Sequence, residues 1–468
     1  MFHNLNSIII PVWTRVKSYH ILLLEFGGRL FMNQESVNDL LQYINSASTP
    51  YQVVTEGIKK LRAAGFAGLS MRESWNLKAG GAYYITPYAT SLFAFTIGSD
   101  WMEDQNFRIA AAHTDQPGFR IKPNAVMTSG KYLKLDTEVY GGPILNTWMD
   151  RPLSIAGRVA LRSEDPFHPR MKLIDIVKPV LTIPNLAIHV NRDVNKGMEL
   201  NKQTDMIPIA ALKKELGQTD QTDSENRFLI KYLADYLKEE PEDILDYDIY
   251  IYNSEKGCLL GFEEDFISAP RLDNLTSVLA LLKGIMTGRR MEGINIIALY
   301  DNEEIGSKSK QGADSSLLNI LLEKIYSGLC KHSREELYRV IHDSMLLSVD
   351  VAHAVHPNRP EKYDPNHHTT LNDGVVFKID SNQKYTFDTE AIAIVQQICE
   401  QSGIKFQKYV NRSDMPSGST LGPILSSWLP VKTVDLGVPI LAMHSAREMM
   451  GVEDQEYLER LICEFFQK

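Results

Sequence analysis

Apolar and polar positions along the chain alternate between two periodicities, and the switch points organise it. Ser36 to Ile44 and Tyr51 to Ala64 carry apolar residues at helical spacing, the first behind a capping serine. Three short apolar runs bounded by Gly or Pro follow: Ala82–Thr86, Ser91–Ile97 and Arg108–Ala112. They predict buried strands. Further on, a helical pattern over Thr276–Met286 precedes a strand pattern over Ile294–Tyr300, and Ala313–Tyr326 is helical again. Strand–helix alternation of this kind predicts a sheet covered by helices on both faces.

The middle of the chain reads differently. Between Val126 and Phe266 the strand signals crowd together, at Lys131–Leu135, Leu153–Leu161 and Asp248–Tyr252, with one acidic helical stretch around Asn226–Glu240. The expected organisation is a catalytic domain formed by residues 33–125 and 267–468, interrupted by an inserted β-rich domain over 126–266. Such an insertion is feasible because the ends of compact domains commonly lie close together. Residues 1–32 are expected to be a non-native or disordered extension. They show no convincing capped helix, and Gly27-Gly-Arg29 reads as a translated ribosome-binding sequence ahead of a start at Met32.

Composition removes several classes of function. At 468 residues with 44% apolar and 23% charged residues, the chain has the make-up of a globular enzyme of more than one domain. No run reaches the roughly 20 apolar residues that cross a bilayer, and the stretch 1–30, whose apolar patch Ile21–Leu24 is accompanied by Arg15, Lys17 and Glu25 and by no convincing small-residue cleavage site, is not expected to be a signal peptide. A net charge of −10 argues against binding nucleic acid. Cys258, Cys330, Cys399 and Cys463 are scattered without a Cys-x-x-Cys pair, which fits a reducing cytoplasm.

Metal-competent residues stand where apolar strands stop, in the order His113, Asp273, Glu304, Asp350, His444, with Glu303 beside the third. Open α/β sheets gather ligands at such strand ends. Two divalent ions about 3.5 to 4 Å apart need a bridging carboxylate, and Asp273 is assigned that place. His113 and Asp350 would complete one ion's ligands, Glu304 and His444 the other's; the mixed nitrogen and oxygen donors suit zinc, or cobalt or manganese. Asp115 would orient the far nitrogen of His113. Glu303, kept off the metals, is the expected general base.

The segments Ala112-His-Thr-Asp115, Phe266–Asn274, Leu299–Ser307, Asp350–Pro357 and Leu441–His444 together resemble the aspartyl aminopeptidases, a family of dinuclear zinc metallo-aminopeptidases. Tyr140-Gly-Gly142, Trp148-x-Asp-Arg151, Ile183–His189 and Gly422–Leu425 extend the likeness from about Asn33 to the C-terminus. The resemblance implies a three-layer αβα zinc-exopeptidase-like catalytic domain with an inserted dimerisation domain, and a homo-oligomer of twelve subunits built from dimers. It also implies peptide substrates with a free N-terminus, often acidic. By position, Lys378 would meet an acidic substrate side chain, His353 would contact substrate, and His189 would act in a neighbouring subunit's site. The loop Asn411–Thr420 departs from the acidic-specific pattern at Met415 and Ser417. Alternatives are a preference for neutral or hydrophobic residues, a related two-metal carboxypeptidase or deacylase, and a catalytically silent oligomeric scaffold.

Overall fold

The computed structural model describes residues 34–213 and 227–468, so the N-terminal extension expected over 1–32 lies outside the described residues. A nine-stranded sheet runs in the order Ala67–Gly68, Ala82–Tyr88, Ser91–Ile97, Ile294–Tyr300, Phe107–His113, Met345–Val349, Lys432–Gly437, Val375–Ile379, Phe406–Val410. Its central strands, Ile294–Tyr300, Phe107–His113, Met345–Val349 and Lys432–Gly437, are parallel to their neighbours in that group. Their carboxyl ends therefore open on one edge.

Alternation along these strands builds three layers, because successive side chains leave a strand on opposite faces. Leu92, Ala94, Ala110, Ala112, Ile297, Leu299, Leu347 and Val349 pack with helices Pro50–Ala63, Leu272–Thr287, Thr389–Ser402 and Asp454–Gln467. The intervening Phe93, Phe95, Ile109, Ala111, Ile296, Ala298 and Leu346 face helices Leu317–Gly328, Arg334–His342 and Leu421–Trp428. The architecture is the αβα sandwich expected from the strand–helix alternation.

A second sheet of six antiparallel strands joins Arg170–Asp175, Leu153–Leu161, Ile244–Asn253, Gly118–Ser129, Tyr132–Tyr140 and Ile209–Leu212. It has its own core, with Leu229 and Leu233 of helix Phe228–Leu237 packed on Ile155, Ile249 and Ile251. The strand Gly118–Ser129 enters this sheet well before residue 126, because the chain leaves the catalytic layer straight after His113-Thr-Asp115 without a linker. A third sheet, absent from the sequence reading, links Cys258–Leu260, Phe266–Ala269, Glu448–Gly451, Pro439–Leu441 and Ala352–His353. Among the described residues no helix is long and apolar enough to cross a membrane, and all four cysteines are free.

Candidate metal centre

Each proposed ligand sits where a strand of the central or third sheet ends. His113 closes Phe107–His113, and Glu303 and Glu304 lie in a single tight turn after Ile294–Tyr300. Asp350 follows Met345–Val349, and His444, at φ 66°, follows Pro439–Leu441. Asp273 stands at the irregular start of the helix Leu272–Thr287, with φ −78° and ψ 108°. Pairing of Tyr300 with His113 in adjacent parallel strands puts the glutamate turn beside the histidine.

The five fall into two overlapping groups that share Asp273: His113, Asp273 and Asp350, and Asp273, Glu304 and His444; a third grouping sets Glu303 with His113 and Glu304. Asp273 Oδ1 is 3.2 Å from His113 Nε2, and its Oδ2 is 3.4 Å from His444 Nε2. His113 Nε2 lies 3.5 Å from Asp350 Oδ1, and His444 Nε2 lies 3.5 Å from Glu304 Oε2. For bonds of about 2.0 to 2.1 Å to a tetrahedral zinc, adjacent donors stand about 3.3 to 3.4 Å apart. The four separations match the edges of such tetrahedra. Asp273 Oδ1 and Glu304 Oε1 are moreover buried with no hydrogen-bond partner, a costly condition for a carboxylate that a cation relieves. The donor set fits the metals.

Backbone carbonyls fix the histidines. His113 Nδ1 faces the carbonyl of Asp115 at 3.0 Å, and His444 Nδ1 faces that of Gly142 at 3.1 Å, so an Nδ1–H donor leaves each Nε2 lone pair for the shared centre. Gly142 arrives from the six-stranded sheet with Gly141, where φ is +70° and a Cβ would stand 3.2 Å from Glu304 Cβ. Asp115 does more than the sequence suggested. Its carboxylate lies 3.5 Å from His113 Nδ1, while it accepts the N–H of Glu303 at Oδ1, 3.1 Å, and at Oδ2 the N–H of Glu304, 3.1 Å, and the Tyr140 hydroxyl, 2.8 Å. It thus holds the glutamate turn.

Crowded carboxylates set the electrostatics. Burial, reinforced by Asp350, Asp115 and Asp273, pushes Glu303 up to about 8 against the pull of His113. Glu304 is raised well above the usual range by burial and by Asp273. Burial opposes charge on Asp273, yet the two histidines facing its oxygens hold its pKa below the ordinary value. Burial would lower both histidines, but their carboxylate partners prevail, taking His444 to about 10 and His113 well above its usual value. The cluster is short of positive charge.

Lys378 is buried, not exposed at a strand surface: 2% of it is accessible, and its Nζ donates to Asp350 Oδ2 at 3.4 Å and to the Val351 carbonyl at 3.0 Å, 5.2 Å from the Tyr385 ring centre. His353, on the short strand Ala352–His353, lies 5.7 Å from the Tyr409 ring, and burial and Lys378 lower its pKa. His189 occupies an exposed turn flanked by exposed Leu186, Ile188 and Val190. Sequence reasoning missed Glu448, 2% accessible, whose carboxylate accepts the N–H groups of Asp273 and His444. An acidic residue inside the otherwise apolar Glu448-Met-Met-Gly451 was the available signal.

Residues 43–466 match the family model described as Aminopeptidase I zinc metalloprotease (M18). A probable M18 family aminopeptidase 2 of Clostridium acetobutylicum is 44% identical over 433 residues, covering 92% of this chain and 98% of the relative. Aspartyl aminopeptidase 4 of Saccharomyces cerevisiae is 36% identical over 461 residues, 92% of this chain and 94% of the relative. Among solved structures, the mApe1 dodecamer of the same yeast superposes with a TM-score of 0.79 at 27% identity, over 92% of this chain and 96% of that one.

Proposed function

Because the chain belongs to the M18 family of zinc aminopeptidases, we propose that this metallo-aminopeptidase removes the N-terminal residue of peptides at a two-metal centre, with Glu303 as general base. The observation that carries the reading is the pair of ligand groups sharing Asp273, whose two oxygens face the two histidines at 3.2 and 3.4 Å. His113 and Asp350 would hold one ion, Glu304 and His444 the other, with Asp273 common to both. When bound, two such ions polarise the scissile carbonyl and lower the pKa of water. Glu303 then takes a proton from the attacking water and passes it to the leaving amine. Its place is supported by the Asp115 clamp on its N–H.

An acidic substrate side chain is supported by Lys378. An ammonium has three N–H donors, and the partners at Asp350 and Val351 use two of them, leaving one for a carboxylate. His353, beside Asp350 in sequence and near Lys378, would line the same space.

Assembly into a homo-oligomer of dimers, up to the dodecamer of the related yeast structure, is supported by the apolar exposed turn that carries His189. There His189 would reach a neighbouring subunit's centre and face the negative charge that develops on the substrate. A cytoplasmic location is supported by the four free cysteines. The test is a panel of aminoacyl substrates with free and N-acetylated amines. An aminopeptidase cleaves only the free amines, and Asp and Glu substrates should lead; cleavage of the acetylated series would point to a deacylase or carboxypeptidase.

A further inference from the structure

Two of the proposed ligands stand on irregular backbone. Asp273 has non-helical dihedrals at the head of its helix, and His444 is in the left-handed region, uncommon for a residue with a side chain. Buried N–H groups on irregular backbone must find an acceptor elsewhere. Both find the same one. Glu448 Oε1 accepts the His444 N–H at 2.8 Å, and Oε2 accepts the Asp273 N–H at 3.1 Å.

The third sheet delivers this carboxylate. Glu448 pairs with Ala269 across antiparallel strands, which sets it opposite the segment leading to Asp273, while the hairpin from Pro439–Leu441 to Glu448–Gly451 carries His444 in its connection. One side chain therefore spans the bridging aspartate and the late histidine. Glu448 is 2% accessible, and burying a carboxylate is costly unless its oxygens are used. An apolar residue would fit the strand better.

We infer that Glu448 is a positioning residue: it fixes the separation of Asp273 and His444, and so tunes the affinity of the metal position formed by Asp273, Glu304 and His444. It touches neither substrate nor metal. The inference rests on the ligand assignment proposed above. A carboxylate suits the task because it offers two acceptor oxygens to two converging N–H groups, whereas the isosteric glutamine offers one acceptor and sets an NH2 against the other N–H. Groups that orient metal ligands typically cost 10- to 100-fold in affinity when altered.

The experiment measures the two stepwise zinc dissociation constants of the full-length protein in metal-buffered titrations, for wild type, Glu448→Gln, Glu448→Asp and His444→Ala. Thermal unfolding and assembly mass are recorded alongside. Glu448→Gln should weaken the position that His444→Ala weakens about 10- to 100-fold, and the other, which shares Asp273, by a smaller factor. Activity lost at limiting zinc should return when zinc is raised, with KM unchanged. Glu448→Asp, which keeps both oxygens on a shorter stem, should fall between the two and carries the test if the glutamine variant does not fold. Two dissociation constants equal to wild type in Glu448→Gln, or a uniform loss at both positions that tracks lowered thermal stability and is not restored by zinc, would overturn the inference. If His444→Ala itself leaves both constants unchanged, the ligand assignment fails first.

Discussion

Replacing Asp115 by Asn tests how the glutamate turn is held. The buried carboxylate receives the N–H of Glu303 at one oxygen and the N–H of Glu304, with the Tyr140 hydroxyl, at the other. An asparagine keeps a single acceptor oxygen. In either orientation its NH2 faces one of the two N–H groups, so a buried donor loses its charged partner, at a cost of about 3 kcal/mol. If the turn shifts to escape, Glu303 and Glu304 leave their places, and the same energy corresponds to about 10²-fold in kcat/KM at about 1.36 kcal/mol per decade. If the turn stays, the loss is expressed in stability. The assay pairs kcat/KM on an aminoacyl substrate with a denaturant titration of the purified variant. An Asp115→Asn protein within about threefold of wild type in rate and equal to it in stability would refute this account of the turn.

The remaining predictions concern the ions and the substrate. Asp273→Ala should lose metal at both positions, since one carboxylate serves both groups and screens the ions from each other; elemental analysis at full two-metal occupancy would remove it from the bridge. His189→Ala should lose about 10² to 10³ in kcat with metal content intact, as expected for a donor facing oxyanion charge, and co-refolding with Glu303→Gln subunits should restore activity beyond the sum of the two. Mixed assemblies that show no such recovery would exclude action in trans. Lys378→Met should lower the ratio of kcat/KM for Asp over Leu substrates, and an unchanged ratio would separate Lys378 from substrate preference.

The αβα layering was legible because buried strands announce themselves as apolar runs: Ser91–Ile97, Leu153–Leu161 and Ile294–Tyr300 have the bounds that their hydrophobic patterns suggest. The proposed ligands were legible for a related reason, a polar residue placed where such a run stops. The third sheet was not. Its strands, Cys258–Leu260, Phe266–Ala269, Glu448–Gly451, Pro439–Leu441 and Ala352–His353, are two to four residues long, too short to establish a period. Glu448 was hidden with it, since one of its partners is a backbone N–H 175 residues away. The environment of Lys378 was equally out of reach, because burial beside Asp350 depends on sheet order and leaves no mark in the local pattern.

Glu303 is the residue on which the catalytic account turns, and its isosteric amide tests it most directly. Glu303→Gln keeps every proposed ligand but cannot relay a proton, so the purified variant should carry two metal ions per chain while kcat falls by about 10² to 10⁴. A variant with both ions bound that hydrolyses a free-amine substrate at close to the wild-type rate would contradict the assignment of Glu303 as the base.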